Sequence, residues 1–504
     1  MRSARLAPGP VGRELRAPAG RGPGAPALPW LAAVAAGYTL AQLVLVVPGA
    51  GLGWDETVYL SQVGSRAPAA FFSAPRARGI TFLIAPVAAV TTSTTALRIW
   101  LSLLSGGGLF LSLWVWRRLL PVRVLVAAGV LFGGLWVTVF YGPQAMPNLW
   151  VAFGALCATG CFLRAARDRT DRHALAALPC AVAVTALMRP GDALALVVPL
   201  ALAALCVRRW RRPALLLVLA AGAALGAAEW VIEAYVRYGG LAARLDRASE
   251  IQGGMGAHLA LDDHVRALEG RTLCRPCDVP WRHPVTAVWW FAIPLLTAGG
   301  VLWAVRHRRV AVTVLPALVG LSLAVPYQFV DYAAPRFLLP AYALLALPVA
   351  VCLLGAVTTG RRARRPYVAG VLALALLGHF AVQYMVLDRV VARSGATHAA
   401  LDRVVAELRR QGVRPPCVVV GTEAVRLAYR AGCASRQTSG HDGSITPPEL
   451  LETARRQPVA VVTDGGRAAP SYARGWRAEP LPRLPGTSGD CRVFLSPAGG
   501  LAAR

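Results

Sequence analysis

Apolar residues along this chain fall in long uninterrupted blocks, separated by short polar or arginine-rich connections. A helix needs about 20 mainly apolar residues to cross the hydrocarbon core of a bilayer, and several blocks reach that length. The pattern predicts about eleven membrane-spanning helices and one shorter juxtamembrane or re-entrant helix near residues 79–93. The predicted spans are residues 29–47, 97–116, 122–140, 148–165, 174–188, 191–207, 213–235, 285–305, 310–328, 337–357 and 366–387.

The arginine clusters between the blocks predict how the chain is oriented in the membrane. When the basic N-terminus is placed in the cytoplasm, dense clusters such as Arg117-Arg118, Arg208-Arg209 and Arg361-Arg362 fall on the cytoplasmic side. This is the arrangement that the positive-inside rule requires. We therefore expect a multi-pass inner-membrane protein with an extracytoplasmic C-terminal region. The short blocks within 174–207 form either two spans or one re-entrant hairpin, and both give the same orientation.

Three regions follow from this topology. Residues 1–27 are rich in Pro, Gly and Arg and predict a disordered cytoplasmic tail. Residues 28–387 form the transmembrane domain, with external loops at 48–78 and 236–284. Residues 388–504 alternate helix-like and strand-like runs, which predicts a small external α/β domain. No Gly-rich phosphate loop stands at a strand-to-helix junction, so nothing marks this domain as nucleotide-binding. Its predicted helices are 398–410, 423–430 and 449–456, and its strands are 417–420, 459–463 and 492–495.

The composition supports a membrane protein and argues against a nucleic-acid partner. The chain of 504 residues is 56% hydrophobic and only 15% charged, whereas soluble proteins are about one quarter charged. The net charge of +28 is carried by arginines that cluster between apolar blocks, as membrane topology requires. The lipid bilayer is therefore the predicted partner. Heavy use of Ala, Arg, Gly and Pro without any lysine suggests a GC-rich, actinobacterial genome.

The cysteines divide between the spans and the external segments. Cysteines in spans usually serve as small packing residues, whereas external cysteines lie where disulfides persist. A Cys274–Cys277 disulfide is favoured over a metal or redox role, because a zinc site needs four ligands. Cys417 and Cys433 form a second candidate disulfide, with Cys491 as a competing partner.

Asp55 and Glu56 are the most prominent acidic pair, and they directly follow the first span. Burial beside a membrane raises the pKa of a carboxyl group toward neutrality, which suits a general base. The alternative is a helix start, where Asp is a common cap and Glu is favoured in the first turn. The residues alone favour the two interpretations about equally.

Several ionisable residues at the predicted outer surface are candidates for phosphate or acceptor binding. Arg76 and Arg78 suit charge-assisted binding of a phosphate, or ordinary contact with lipid headgroups. Arg189 either pairs with the nearby Asp192 or lines a site, and Arg336 either pairs with Asp331 or reaches the same cavity. Glu229 and Glu233 lie one helical turn apart and either face an acceptor cavity or pair with Arg237.

The motif Asp262-Asp263-His264 contains residue types that bind metals, but no further ligand follows at a regular spacing. A solvated polar loop is the favoured interpretation. The sequence therefore predicts no metal site, although it leaves room for a divalent cation, and no cofactor is indicated.

Taken together, these positions resemble the glycosyltransferase-C superfamily, in the branch of protein O-mannosyltransferases and lipid A aminoarabinose transferases. The resemblance rests on Asp55-Glu56-x-x-Tyr59 after the first span, a basic residue entering the stretch Arg78 to Pro86, and Leu97-Arg98 opening the second span. Weaker matches are Tyr141 to Leu149, Leu187 to Pro190 and Pro335 to Pro340. Arg78-Gly79 replaces the His or Lys followed by Pro-Pro that is frequent in this branch.

The resemblance implies an enzyme that transfers a hexose or pentose from a polyprenyl-phosphate carrier to a glycan, lipid or protein acceptor outside the cytoplasm, with inversion. Asp55 would be the general base, supported by Glu56. Arg76, Arg78, Arg189 and Arg336 would hold the carrier phosphate. Substrate-cavity candidates are Tyr59, Tyr141, Gln144, Glu229, Glu233 and Asp331.

Two other functions share many of these features. A transporter or flippase of lipid-linked envelope intermediates would also have many spans and intramembrane charges. The chain shows no internal repeat and no paired broken helices, which many transporters have. A non-catalytic assembly subunit is the third alternative.

Overall fold

A computed structural model describes residues 27–497, except 255, 257–258, 276, 360–362, 364, 465–466 and 488. The predicted N-terminal tail at 1–27 lies outside the described residues, apart from Ala27. The helices are α1 (Ala27–Leu45), α2 (Trp54–Ser61), α3 (Gly79–Ala88), α4 (Thr94–Val115), α5 (Val122–Gly133), α6 (Trp136–Tyr141), α7 (Asn148–Arg167), α8 (Arg172–Met188), α9 (Pro190–Cys206), α10 (Pro213–Arg237), α11 (Leu241–Ile251), α12 (Leu261–Ala267), α13 (Val288–Arg306), α14 (Ala311–Ala324), α15 (Leu339–Thr359), α16 (Arg365–Arg410), α17 (Ala424–Ala431) and α18 (Pro447–Arg456).

The prediction of a polytopic helical membrane protein is confirmed. Eight helices of the described residues are long and apolar enough to cross a membrane, and α3, α5, α8 and α9 are shorter apolar helices. The predicted span at 122–140 is divided, because α5 ends at Gly133 and Leu135 is extended before α6 begins. The region 174–207 forms two helices that are joined at Arg189.

Helix α7 lies at the centre of the bundle, since 94% of its apolar window is buried. Around it, small residues let neighbouring helices approach closely. A Cβ atom at Gly226 of α10 would stand 2.2 Å from the carbonyl oxygen of Ala183 in α8, and one at Gly222 would stand 2.6 Å from that of Pro179. These contacts fix the position of α8, and therefore of Arg189 at its end.

The C-terminal domain contains a five-stranded mixed sheet of order β2-β1-β3-β5-β4, as the predicted α/β class requires. Strands β2, β1 and β3 are parallel, whereas β5 is antiparallel to β3 and β4. Apolar clusters cover both faces of the sheet. The strands are β1 (Val418–Gly421), β2 (Ala434–Arg436), β3 (Val459–Thr463), β4 (Arg477–Leu481) and β5 (Cys491–Leu495).

Helix α16 connects the bundle to the domain without interruption. It runs from Arg365 to Arg410, so the predicted boundary between residues 387 and 388 lies inside a single helix, as does the predicted helix at 398–410. The backbone N–H of Gly51 donates to the hydroxyl of Ser394 in α16 at 3.1 Å. Val425 and Tyr429 of α17 join the apolar core of the bundle. The domain is thereby held directly over α2.

Candidate active site

Glu56 is a buried anchor in the first turn of α2. Its side chain is 2% exposed and forms two bonds with the guanidinium of Arg98 in α4, at 2.5 and 2.8 Å. It also accepts hydrogen bonds from the backbone N–H groups of Gly53, at 2.9 Å, and Ala145, at 2.7 Å. The helix-start interpretation therefore describes Glu56, whose support of a catalytic base stays a prediction. The geometry is that of a positioning residue.

Asp55, one position earlier, points to a different environment. Its side chain is 33% exposed and lies between two arginines, Arg76 at 2.8 Å and Arg336 at 3.1 Å. Burial alone would raise the pKa of Asp55, but the positive charges of Arg76, Arg336 and Arg189 outweigh it and lower this pKa below its usual value. Asp55 is therefore ionised at neutral pH. Arg336 pairs with Asp55, not with Asp331.

Asp55 and Arg336 both line two neighbouring polar cavities. Cavity A has a volume of about 360 Å³ and cavity B a volume of about 550 Å³. Trp54, Met146 and Leu273 also line both. A carboxylate that reaches two neighbouring cavities can contact two different molecules, which is the arrangement that a transfer reaction needs.

Cavity A is rich in arginine. Arg76, Arg189, Arg275 and Arg336 line it, and its other polar lining includes Tyr59, Ser73, Gln252, Tyr332, His441 and Asp442. Burial raises the pKa of the Tyr59 hydroxyl, which is therefore neutral at physiological pH. The C-terminal domain contributes Asp442, whose carboxylate lies 3.7 Å from Arg76. Four guanidinium groups around one cavity suit an anion such as a phosphate.

Arg189 joins cavity A from the turn between α8 and α9. It forms an ion pair with Asp192 at 3.0 Å, as one predicted alternative requires, and it also lines the cavity, as the other requires. Asp192 in turn accepts a hydrogen bond of 2.6 Å from the Tyr327 hydroxyl. The two interpretations are therefore compatible, because Asp192 holds the arginine at the cavity wall.

Cavity B lies between the bundle and the C-terminal domain. The predicted residues Tyr141 and Gln144 line it, together with residues of α16 and the pair Glu423–Arg426 of the domain. The Tyr141 hydroxyl donates to the carbonyl of Thr272 at 3.4 Å. The α16 side chains at this cavity are Val390, Arg393, Ser394, Thr397 and His398.

Arg78 belongs to a separate ionic cluster with Glu229 and Glu233. Its guanidinium lies 2.6 Å from Glu233 and 3.4 Å from Glu229, and neither cavity includes it. The fully buried Arg244 of α11 binds Glu233 at 3.0 Å and donates to the backbone carbonyl of Arg76, also at 3.0 Å. The cluster therefore holds the segment that presents Arg76, and the predicted substrate contacts of Arg78, Glu229 and Glu233 stay predictions.

The remaining predicted residues lie away from Asp55. Asp331 is exposed and lines neither cavity. Asp262 is exposed, as a solvated loop requires, but the motif lies on α12 and His264 is buried against the carbonyl of Tyr327 at 3.0 Å. Among the described residues, no group of three His, Cys, Asp or Glu side chains could hold a metal ion.

The four external cysteines named as disulfide candidates are joined as Cys274–Cys277 and Cys417–Cys433, while Cys491 is buried and free. The first disulfide lies beside the backbone pairing of Cys274 with Ala333, close to Arg336 in the chain. The second joins the segment before β1 to the residue after α17 and its glycine cap. Both disulfides therefore stabilise segments that carry cavity residues.

Sequence reasoning missed the roles of Arg98, Arg244 and Asp442. The signal for Arg98 was present, because an arginine inside an apolar block needs a buried partner. Arg244 and Asp442 lie in polar segments where charged residues are ordinary, so their partners become visible only in the folded chain.

Replacement of Arg98 by Leu is expected to destabilise the protein by about 3–5 kcal/mol, because it leaves the Glu56 charge buried without a partner. Thermal unfolding of the purified protein in detergent measures the effect. Addition of Glu56→Gln should recover stability, since no charge is then stranded. The control is Arg118→Leu, which removes a half-exposed partner of Asp171 and should cost about 1 kcal/mol or less. Equal losses in Arg98→Leu and Arg118→Leu would contradict the anchoring role.

Comparison with known proteins places the fold. No protein-family model matches the sequence, and no curated protein matches it significantly. The structure of ArnT from Cupriavidus metallidurans bound to undecaprenyl phosphate matches with a TM-score of 0.67 at 13% identity, over 93% of this chain and 98% of that chain. The apo structure of the same protein matches with a TM-score of 0.66 at 12% identity, over 95% and 100%.

A more distant match is the apo oligosaccharyltransferase of Archaeoglobus fulgidus. Its TM-score is 0.51 at 14% identity, over 86% of this chain and 69% of that chain. At these identities the comparisons establish the architecture and leave the chemistry to the site itself. The chain has the glycosyltransferase-C fold of ArnT, a helical polytopic membrane domain with a small C-terminal mixed-sheet domain.

Proposed function

We propose that this protein is a membrane glycosyltransferase that moves a sugar from a polyprenyl-phosphate carrier to an acceptor on the extracytoplasmic face, with inversion at the anomeric carbon. The observation that carries the proposal is the position of Asp55. Its carboxylate reaches both polar cavities, and it is held by arginines of the type that bind phosphates. The fold shared with ArnT, whose structure contains undecaprenyl phosphate, supports the same conclusion.

The donor phosphate binds in cavity A. Arg76, Arg189 and Arg336 are the predicted phosphate ligands that line this cavity, and Arg275 adds a fourth guanidinium. Their charges stabilise the negative charge that develops on the phosphate as it leaves. Arg78 already has two carboxylate partners, so its direct role in phosphate binding is less well supported than that of the other three.

The acceptor binds in cavity B and reacts across Asp55. Asp55 removes the proton of the acceptor hydroxyl, and the oxygen attacks the anomeric carbon to form the new glycosidic bond. The bond between that carbon and the phosphate oxygen breaks, and the carrier phosphate leaves with the electron pair. Attack from the face opposite the leaving group inverts the anomeric centre.

Asp55 becomes a stronger base when its arginine partners are exchanged. In the free protein, Arg76 and Arg336 lower the pKa of Asp55. When a phosphate enters cavity A, it competes for these guanidinium groups, since it offers more oxygen acceptors than a carboxylate. Loss of the positive partners raises the pKa of Asp55. The base therefore strengthens only when the donor is present.

The other predicted properties follow from this proposal. The C-terminal domain and both cavities lie outside the cytoplasm, and the acceptor is a glycan, lipid or protein. The transporter and assembly-subunit alternatives lack a specific observation in their favour. The actinobacterial origin and a divalent-cation requirement stay predictions of composition and resemblance.

Asp55→Asn is expected to reduce sugar transfer by about 10²–10⁴-fold, the usual contribution of a general base, without loss of protein abundance. Envelope glycans and glycolipids of a deletion strain that carries the variant are compared by mass spectrometry with those of the parent. The control is Asp246→Asn, which makes the same chemical change at an exposed position on α11 and should leave transfer unchanged.

Two outcomes would contradict the proposal. Unchanged transfer in Asp55→Asn would remove this residue from the base role. A transporter would be favoured if the wild-type protein moved undecaprenyl phosphate carriers across the membrane of proteoliposomes without any transfer to an acceptor.

The pH profile gives an independent test of the arginine partners. The value of kcat/KM reports ionisation in the free enzyme and falls as pH drops through the pKa of the base. In the wild-type protein this acidic limb should lie below the usual range of an aspartate, because the pKa of Asp55 is lowered. Arg336→Gln removes one positive charge, so the pKa rises and the limb should move upward by about one pH unit.

Arg474→Gln is the control for this measurement. Arg474 is exposed on the C-terminal domain and lines neither cavity. Its profile should coincide with that of the wild-type protein. A lower rate in Arg336→Gln with an unmoved acidic limb would contradict the control of Asp55 by this arginine.

A further inference from the structure

Two arginines in the wall of cavity B have no carboxylate partner among the residues that the structure describes. Arg271 follows α12, and Arg393 lies on the part of α16 that faces the same cavity. Within the described residues, neither of them forms an ion pair, and Arg393 donates only to the carbonyl of Gly270 at 3.3 Å. Both belong to the cavity that also contains Asp55.

The other arginines of cavity B are neutralised. Arg336 pairs with Asp55 at 3.1 Å, and Arg426 pairs with Glu423 at 2.5 Å. Arg393 instead contacts Gly270, the chain neighbour of Arg271, and the positive charges of Arg271 and Arg389 both repel its guanidinium. Glu269 attracts Arg393 from a distance, but it accepts a hydrogen bond from the backbone N–H of His283 and forms no ion pair with either arginine.

Arg271 is half-buried and Arg393 is exposed, so water screens part of the repulsion between these two positive charges in the cavity wall. A single phosphate or carboxylate removes the repulsion and accepts charge-assisted hydrogen bonds from both guanidinium groups. Ser394 and Thr397 line the same cavity from α16, where the Ser394 hydroxyl accepts from the N–H of Gly51 at 3.1 Å and the Thr397 hydroxyl donates to the carbonyl of Arg393 at 2.9 Å. The wall therefore has the composition of an anion-binding subsite with a polar surround.

We propose that the acceptor of this enzyme carries an anionic group, a phosphate or a carboxylate, which Arg271 and Arg393 bind while the acceptor hydroxyl reaches Asp55. The inference rests on the proposed function and specifies its substrate class. Neutral glycans and neutral hydroxyl-bearing side chains would leave the two charges uncompensated. An acidic glycan or a phosphate-bearing lipid satisfies both the charges and the hydroxyl requirement.

The test uses a deletion strain complemented with the full-length wild-type protein, the double variant Arg271→Gln/Arg393→Gln, or Arg403→Gln. Arg403 is exposed on the same helix, ten residues after Arg393, and does not line cavity B, so its variant is a matched loss of charge. Envelope extracts are separated by anion exchange, and mass spectrometry identifies the component that gains a sugar. Phosphatase treatment and carbodiimide blocking of separate samples distinguish a phosphate from a carboxylate.

The sugar-bearing component should bind the anion exchanger and lose that binding after one of the two treatments. Its amount should fall at least about 10-fold in the double variant, since hydrogen bonds to charged groups are lost, and should be unchanged in Arg403→Gln. Binding of undecaprenyl phosphate to the purified double variant should equal that of the wild type, which shows that cavity A is intact.

The outcomes separate this inference from the proposed function. A sugar-bearing component that does not bind the exchanger, or an equal yield in the double variant and the wild type, would overturn the anionic acceptor and leave the transferase intact. No sugar-bearing component even with the wild-type protein would overturn both. Loss of undecaprenyl phosphate binding in the double variant would assign the two arginines to the donor and likewise overturn the inference.

Discussion

The buried ion pair between Glu56 and Arg98 is the interaction on which the site depends. Both side chains are almost fully buried, and together they bond the backbone at Gly51, Gly53, Pro143 and Ala145. Removal of either partner would leave a buried charge unpaired, so the pair holds α2 in a defined position against α4. That position turns the neighbouring Asp55 toward the two cavities.

Asp55 reaches the cavities because the burial of Glu56 sets the rotation of α2. The two residues are adjacent, but successive side chains on a helix point about 100° apart, so one enters the core while the other reaches polar space. The loop that follows also directs two nearby charges to different partners, since Arg76 contacts Asp55 and Arg78 contacts Glu233. Arg244 connects these two ionic groups, because it binds Glu233 and also the backbone of Arg76. The ionic cluster around Glu233 thus holds the segment whose Arg76 contacts Asp55.

The C-terminal domain contributes to the site as well as covering it. Asp442 reaches Arg76 in cavity A, and Glu423 and Arg426 line cavity B. These residues follow the carboxyl ends of the parallel strands β2 and β1, the edge at which open sheets commonly bind ligands. The continuous helix α16 and the contact of α17 with α2 keep this edge over Asp55. The domain therefore belongs to the substrate-binding region that we propose.

The sequence was sufficient for the features that depend on local composition. Long apolar blocks became helices because burial in lipid requires them, and alternating runs became the mixed sheet. The break between α5 and α6 falls at Gly133-Gly134, a turn signal that the surrounding apolar block at 122–140 obscured. The pairing of Asp55 with Arg336 spans 281 residues, and no local pattern indicates such a contact. Nor does the sequence distinguish Arg76 from Arg78, because only the folded loop decides which carboxylate each one meets.

The most direct test of the account is an experimental structure of the full chain with undecaprenyl phosphate bound. The phosphate should lie in cavity A within hydrogen-bond distance of Arg76 or Arg336, and Asp55 should lose at least one of these partners and face cavity B. A phosphate bound elsewhere, with Asp55 still paired to both arginines, would contradict the exchange of partners that makes Asp55 a base.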